Sequence, residues 1–142
     1  YALAQAGCGV TLHNRTEERA ARLIRDLQGT GSRKGGGWLK QTASLQGLEL
    51  SDFDLLVNTS SIGLKGEAFG FPVSGCVRPG GSVYDMVYMA EATPLVRDAR
   101  QAGLAAADGL GMLAGQGELA FGLWFGMAPQ QDVMRRALKW ES

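Results

Sequence analysis

The run Ser82-Val83-Tyr84-Asp85-Met86-Val87-Tyr88, with the helix signal that follows it, decides the fold class. Its aromatic and β-branched residues predict a strand. Thr93-Pro94 then predicts a helix start, because Thr is a favoured N-cap and Pro suits the first helical position, and Gly103 predicts its end. Leu104 to Ala107 predicts another short strand. Because strand, helix and strand follow one another in this way, the pattern is typical of a parallel sheet.

The same alternation extends along the rest of the chain. Cys8 to Asn14 predicts a strand, and Asp54 to Asn58 predicts a buried strand of the kind that is covered on both faces. Further helices are predicted at Thr16 to Gly29, Met112 to Phe125 and Asp132 to Lys139. A weak strand is expected near 38–40, a short helix or turn near 45–50, and mainly loop over 63–81. The residues expected on buried helix faces are Ala20, Leu23, Ile24, Leu27, Leu95, Val96, Ala99 and Ala102.

The first residues predict the last turns of a helix. Tyr1 to Ala6 consists mostly of good helix formers, and Gly7 stands where a left-handed residue ends a helix. We therefore expect residues 1–142 to be one domain that is a piece of a longer protein.

Composition excludes several function classes. The 14 Lys+Arg balance the 14 Asp+Glu, so electrostatics gives no reason to expect a nucleic acid or an anionic membrane as partner. No apolar run approaches the roughly 20 residues that span a bilayer. Because the chain has 2 cysteines and 1 histidine, we expect no disulfide framework and no metal centre, and a cytoplasmic location is favoured.

Polar residues follow the predicted strands at their carboxyl ends, where parallel sheets bind ligands. These ends are Asn14-Arg15-Thr16, Asn58-Thr59-Ser60-Ser61, Met86-Val87-Tyr88 and Asp108-Gly109. In dinucleotide-binding folds, a carboxylate after the second strand binds the ribose of NAD, whereas Arg accommodates the 2′-phosphate of NADP. Arg15, and Arg19 one helical turn later, therefore favour NADP, with the Thr16 hydroxyl adding a donor.

Other interpretations of these residues stay open. Arg15 and Arg19 could be solvated helix-start residues that pair with Glu17, Glu18 or Asp26. The glycine-rich run at 29–37 follows a helix, not a strand, so we expect a surface connection instead of a phosphate-binding loop. His13 is interpreted as structural, and Asp85 as a hydrogen-bond acceptor at a strand end that holds a loop.

Four blocks occur in a fixed order along the chain. They are Asn14-Arg15-Thr16-x-x-Arg19; Leu56-Val57-Asn58-Thr59-Ser60-Ser61-x-Gly63; Tyr84-Asp85-Met86-x-Tyr88 with Thr93-Pro94-Leu95; and Asp108-Gly109-x-Gly111-Met112-Leu113-x-x-Gln116 with Ala120-Phe121 and Trp124. Together they resemble the NADP-binding, C-terminal part of the shikimate dehydrogenase family, over nearly the whole chain apart from 29–50. The resemblance implies an α/β, Rossmann-like doubly wound parallel sheet, incomplete at its N-terminus, with C-terminal helices.

The family reversibly reduces 3-dehydroshikimate to shikimate with NADPH in aromatic amino-acid biosynthesis. The resemblance therefore implies NADP as the cofactor and shikimate or 3-dehydroshikimate as the small-molecule substrate. By motif position, the implied cofactor-binding residues are Asn14, Arg15, Thr16, Arg19, Thr59, Ser60, Met86 and Gly109. The implied substrate-binding residues are Tyr88 and Gln116. From the residues alone, Tyr88 could be an edge-strand aromatic, Gln116 an exposed helix residue and Met86 a core residue.

The resemblance also implies what this chain does not contain. The family's glycine-rich pyrophosphate loop and its catalytic Lys and Asp would lie upstream of Tyr1, so we expect no catalytic residue here and no turnover by the chain alone. Thr59 stands where the family often has Ala, and Gly115 is smaller than the usual residue, which lowers the expected cofactor affinity of this chain. A quinate/shikimate dehydrogenase-like relative, a non-catalytic NADP-binding module and a generic α/β interaction domain remain alternatives. A homodimer also stays open.

Overall fold

Parallel strands and helices make up the computed structural model, whose described residues are 1–29, 37–45, 53–72, 75–130 and 132–138. The chain divides into two compact units, Tyr1–Leu48 and Glu49–Ser142, called the N-terminal and the C-terminal unit below. All strand pairs described in both units are parallel, which confirms the predicted α/β class. The predictions for 46–50, for the glycine-rich 30–36 and for Lys139 lie outside the described residues.

The N-terminal unit contains two helices and two strands among its described residues: α1 (Ala2–Gln5), β1 (Val10–His13), α2 (Glu17–Gly29) and β2 (Leu39–Thr42). Gly7 follows α1 with φ of 91°, as expected for a left-handed residue that ends a helix. β1 and β2 pair with Val10 opposite Leu39 and His13 opposite Thr42.

Helix α2 packs against both of these strands. Ala20 is buried, and Ile24 and Leu27 are half-buried, as their spacing predicts. Leu23 is 48% exposed, so the prediction that it lies inward is wrong. The residues at 20, 24 and 27 form the middle of the apolar stripe of α2, whereas position 23 lies at the margin of this stripe and is therefore exposed.

The C-terminal unit contains β3 (Leu55–Asn58), β4 (Ser82–Asp85), α3 (Pro94–Gln101), β5 (Ala105–Ala107), α4 (Leu110–Phe125) and α5 (Val133–Ala137). The strand order is β3-β4-β5, and α3 joins β4 to β5 and packs against both. Thr93 caps α3 as predicted, because its Oγ1 accepts a hydrogen bond from Val96 N at 3.3 Å. Gly103, with φ of 75°, follows the end of this helix.

One cluster of buried side chains fixes α3 on the sheet of the C-terminal unit. Its members are Cys76, Val77, Val83, Leu95, Ala99 and Leu104, with Leu56, Phe69, Phe71 and Ala106 packed against it. Because β4 and α3 both contribute to this core, the position of the carboxyl end of β4 depends on it.

Three local expectations differ from the structure. β4 ends at Asp85, three residues before the predicted end, because the Asp85 side chain accepts a hydrogen bond from Val87 N and turns the chain. Ala102 is exposed, since it is the C-cap of α3 and lies beyond the packed turn. Leu55 and Val57 are 43% and 37% exposed, so β3 is not covered on both faces in this unit.

We expect Leu95→Ala to lower the free energy of unfolding of the 142-residue chain by about 2–5 kcal/mol, because Leu95 is 2% exposed in the core and its removal leaves a cavity. Leu123→Ala is the matched control, since Leu123 is 85% exposed, and we expect a change within about 0.5 kcal/mol. Urea titration measures both. Equal losses for the two variants would contradict the position of the core.

Candidate functional site

The three parallel strands of the C-terminal unit bring the loops that follow them to one edge of the sheet. Asn58 at the end of β3 lies opposite Asp85 at the end of β4, and Tyr84 lies opposite Ala107 at the end of β5. The predicted site residues that follow these ends are Thr59, Ser60, Met86, Tyr88 and Gly109. Polar groups on three neighbouring loops therefore share one sheet edge, the place where parallel sheets bind ligands.

The Asn58 side chain organises the loop after β3. Asn58 is 6% exposed, and its Oδ1 accepts hydrogen bonds from Ser60 N at 2.9 Å and Ser60 Oγ at 2.7 Å. Its Nδ2 donates to Ile62 O at 3.1 Å. Ser60 and the neighbouring Thr59 are exposed, so this loop presents hydroxyl groups to solvent from a fixed backbone.

The loop after β4 alternates between exposed and buried side chains. Met86 N donates to Asn58 O at 3.0 Å, which joins this loop to the end of β3. Val87 is 7% exposed, whereas Met86 and Tyr88 are 37% and 41% exposed. Met86 is thus not a core residue, and both it and Tyr88 can contact a ligand at this edge.

Gly109 joins the end of β5 to the loop after β4. Its N–H donates to Val87 O at 3.2 Å, and Leu113 N donates back to Gly109 O at 2.9 Å as α4 begins. A Cβ on Gly109 would collide with the carbonyl group of Met86 and approach the Tyr88 ring. Gly109 is itself buried, so the start of α4 can lie this close to the loop after β4 only because the residue is glycine.

In the N-terminal unit, the predicted residues follow β1 at its carboxyl end. Asn14 Nδ2 donates to Thr16 O at 2.9 Å, and α2 begins at the next residue. Arg15 and Arg19 are exposed, and neither makes an ion pair within the part of the chain that the structure describes. Asp26 pairs with Arg22 instead, at 3.8 Å. The interpretation of Arg15 and Arg19 as members of surface ion pairs is therefore not supported.

Two further predicted residues lie apart from these loops. Gln116 is exposed, two turns into α4. His13 Nδ1 lies 3.3 Å from Thr42 O, across the β1–β2 pair, which fits a structural role. Within the described ranges, no helix is long and apolar enough to cross a membrane, and no group of three or more His, Cys, Asp or Glu is placed to hold a metal.

A groove of about 850 Å³ runs between α4 and α5, and Gln116 and the other predicted residues do not line it. Apolar and small residues line most of it, with Leu119, Leu123 and Met127 among them. It is a different surface from the sheet edge, and the one cation among its lining residues, Arg135, pairs with Asp132 at 3.9 Å.

Two groups between β3 and β4 have shifted pKa values. The backbone N–H groups of Glu67 itself and of Lys65 hold the pKa of the Glu67 carboxyl below its usual range. Burial raises the pKa of the Cys76 thiol. Glu67 Oε2 accepts hydrogen bonds from Gly63 N at 3.2 Å and Lys65 N at 2.7 Å, so the carboxylate closes the turn that follows Ser60.

Sequence reasoning found Asp85 as a strand-end acceptor but missed how many segments it joins. Its side chain is fully buried and accepts hydrogen bonds from Asn58, Val87 and Thr93. Polar residues at the ends of two neighbouring strands were the available signal. The third member, Thr93, is recognisable from the sequence only as a helix cap.

A parallel sheet with helices between its strands and polar loops at its carboxyl edge defines the Rossmann-like class of α/β proteins. Comparison with known families agrees with this class: residues 109–139 match the shikimate 5′-dehydrogenase C-terminal domain. The chain is also 40% identical, over 136 residues, to a shikimate dehydrogenase (NADP(+)) of Geobacter metallireducens. That match covers 94% of this chain and 47% of the relative.

Solved structures extend the similarity. Shikimate 5-dehydrogenase of Thermus thermophilus, in complex with NADP(H) and shikimate, matches with a TM-score of 0.74 and 33% identity, over 97% of this chain and 48% of that one. The 5-ketofructose reductase of Gluconobacter sp. strain CHM43 matches with a TM-score of 0.76 and 28% identity, over 97% and 50%. Over almost its whole length the chain matches the C-terminal part of shikimate dehydrogenases, and it spans about half the length of these relatives.

We expect Gly109→Ala to lower the melting temperature of the chain and to displace the loop after β4, because the new Cβ has no room beside the Met86 carbonyl group. Gly115→Ala is the matched control in the helix that follows, since a Cβ there meets nothing within 4 Å. Thermal unfolding by circular dichroism compares the two. If Gly109→Ala is as stable as Gly115→Ala, the close approach at Gly109 is wrong.

Proposed function

We propose that this chain is the NADP-binding half of a shikimate dehydrogenase, which reversibly reduces 3-dehydroshikimate to shikimate. The observation that carries the proposal is the exposed pair Arg15 and Arg19 at the carboxyl end of β1, neither of which has an ion-pair partner among the described residues. In a dinucleotide-binding fold, arginines at this position are expected to bind the 2′-phosphate, which NADP has and NAD lacks.

Several features of the first turn of α2 support a phosphate site. Two guanidinium groups can donate bidentate, charge-assisted hydrogen bonds to one dianion. The exposed Thr16 hydroxyl and the N–H groups at the start of the 13-residue helix add further donors. Asn14, whose side chain bonds Thr16 O, holds the turn that presents Arg15.

In the C-terminal unit, the residues at the carboxyl edge of the sheet are proposed to hold the nicotinamide of the cofactor. NADPH supplies the hydride, and the chain's own residues have to bind and orient the nicotinamide. Gly109, whose N–H holds the loop after β4, lies beside Met86, whose side chain is exposed, and Thr59 and Ser60 offer hydroxyl groups on the neighbouring loop. In the proposal these four residues border the cofactor.

Tyr88 and Gln116 are proposed to bind the polar groups of the substrate. Both side chains are exposed, and Tyr88 lies beside Gly109. Reduction of a ketone also needs a proton donor for the developing alkoxide. We assign that donor to the other half of the protein, as a Lys and Asp pair that faces Tyr88 and Gln116.

An exposed apolar strip on α4 supports the presence of that other half. Gln116, Leu119 and Leu123 share one helix face, and the two leucines are 73% and 85% exposed. Apolar side chains exposed to this extent on neighbouring turns mark a surface that another protein segment covers.

A reductase of a different keto compound is the second candidate. The TM-score for 5-ketofructose reductase is 0.76 and that for the shikimate dehydrogenase of Thermus thermophilus is 0.74, so backbone similarity favours both candidates equally. The two candidates differ in the substrate, so a panel of shikimate, quinate and a reduced keto-sugar separates them.

We expect a fusion protein, in which this chain follows the N-terminal half of the Geobacter metallireducens enzyme, to oxidise shikimate with NADP, because both cofactor and substrate sites are then complete. Absorbance at the NADPH band measures the rate. The 142-residue chain alone is the control and should show no turnover, since the proton donor is assigned to the other half. Turnover by the chain alone would contradict this division of roles.

In the same fusion protein we expect Arg15→Ala to raise the Kd for NADP roughly tenfold or more, because a charge-assisted contact to the 2′-phosphate is lost. Affinity for NAD should stay within about threefold of the unsubstituted protein. Isothermal titration with both dinucleotides measures the difference. Arg22→Ala is the matched control, since Arg22 lies on the same helix but pairs with Asp26, and it should change neither affinity.

Equal losses of NADP and NAD affinity in Arg15→Ala would mean that Arg15 stabilises the unit and does not bind the 2′-phosphate. An unchanged NADP affinity in both Arg15→Ala and Arg19→Ala would contradict the proposal that this pair binds the 2′-phosphate of NADP.

A further inference from the structure

Asp85 carries a buried carboxylate at the end of β4. Its side chain is 0% exposed, and within the described ranges it has no ion pair with an Arg, Lys or His. Removing a carboxylate from water is costly unless hydrogen bonds replace its hydration. The protein groups that donate hydrogen bonds to this carboxylate are therefore held in fixed positions.

Three different segments supply those hydrogen bonds. Asn58 Nδ2, at the end of β3, donates to Asp85 Oδ1 at 2.8 Å, and Val87 N, in the loop after β4, donates to the same oxygen at 3.0 Å. Thr93 Oγ1, at the N-cap of α3, donates to Oδ2 at 2.7 Å. One oxygen thus holds the two loops of the sheet edge, and the other holds the helix.

The bond to Asn58 extends to the exposed hydroxyl loop. The same Asn58 side chain accepts hydrogen bonds from Ser60 N and Ser60 Oγ, at 2.9 and 2.7 Å. An Asn side chain rotates as a unit, so Asp85 fixes which way its amide points and thereby where its Oδ1 meets Ser60. Ser60 is in this way only two hydrogen bonds from the buried carboxylate.

The bond to Val87 extends to the other side of the edge. Val87 O accepts the hydrogen bond from Gly109 N at 3.2 Å, and Met86 and Tyr88 flank Val87 on either side. Fixing the Val87 amide therefore fixes the backbone from which both exposed side chains project.

We infer that Asp85 is a positioning residue, which holds Ser60, Met86, Tyr88 and Gly109 in one arrangement through Asn58 and Val87. The inference rests on the proposed function, in which those four residues contact the cofactor and the substrate. Asp85 touches neither ligand in this account. Its contribution is preorganisation: loops that would otherwise sample several conformations are held ready for hydride transfer.

A purely structural role is the competing explanation, in which Asp85 serves only to cap α3 with Thr93. The two roles use different oxygens, so substitutions separate them. Thr93→Val removes the hydroxyl bonded to Oδ2 and leaves both Oδ1 bonds in place. Asp85→Ala removes all three, and Asp85→Asn keeps the shape and one acceptor oxygen.

Amide hydrogen exchange on the 142-residue chain tests the network without any ligand. For the Ser60 and Val87 amides we compare the ratio of their exchange rate to that of the Val83 amide in β4. We expect this ratio to be roughly tenfold or more higher in Asp85→Ala than in the unsubstituted chain. In Thr93→Val the same ratio should stay within about threefold, although α3 is less stable. Where Asp85→Ala does not fold, Asp85→Ser, which has one oxygen on a shorter side chain, decides, and its ratio should lie above that of the unsubstituted chain.

Turnover of the fusion protein tests the consequence for the reaction. We expect Asp85→Ala to lower kcat roughly tenfold or more while the Kd for NADP changes by less than about threefold, because Arg15 and Arg19 are untouched. Asp85→Asn should recover part of the lost kcat. Thr93→Val should lose thermal stability yet keep kcat within about threefold.

Equal effects of Thr93→Val and Asp85→Ala on exchange and on kcat would overturn the inference and leave Asp85 a structural cap. Unchanged Ser60 and Val87 exchange in Asp85→Ala would overturn it as well. If the unsubstituted fusion protein oxidises no compound of the substrate panel, the proposed function fails, and the exchange measurement alone still decides whether Asp85 holds the two loops.

Discussion

The in-register parallel pairing of β3 and β4 is the constraint on which the rest of the C-terminal unit depends. It places Asn58 opposite Asp85, so that the two side chains meet in a 2.8 Å hydrogen bond. A slip of one residue would turn one of them to the opposite face of the sheet and separate the pair. The core beneath, where Val83 of β4 packs with Leu95 of α3, opposes such a slip.

Local signals explain which parts of the fold could be predicted. Thr93-Pro94 and Gly103 mark the two ends of α3 because N-caps and left-handed residues act within one turn of the chain. The end of β4 could not be predicted, since it depends on a side-chain bond between Asp85 and Val87 that a run of strand-forming residues conceals. Leu23 was misplaced because periodicity gives a stripe but not the width of the surface that covers it.

The candidate site shows the same division. The rule that parallel sheets bind ligands at the carboxyl ends of their strands located the loops that carry Ser60, Tyr88 and Gly109. It could not show that one buried carboxylate joins them, because that network needs side chains from three segments that are distant in sequence. The sequence likewise could not show whether Arg15 pairs with a carboxylate. In the structure, Asp26, one of the possible partners, pairs with Arg22.

The family relationship and the proposed role are consistent with a protein whose functions are divided between halves. The relatives are about twice the length of this chain, and this chain carries exposed guanidinium groups at the start of a helix and exposed hydroxyl groups at a sheet edge. NMR chemical shifts of the fusion protein during dinucleotide titration test the proposal that these residues bind NADP. The proposal predicts that the Arg15 and Arg19 side-chain signals shift with NADP but not with NAD, while the Ser60, Val87 and Gly109 amides shift with both. Shifts confined to the groove between α4 and α5 would contradict it.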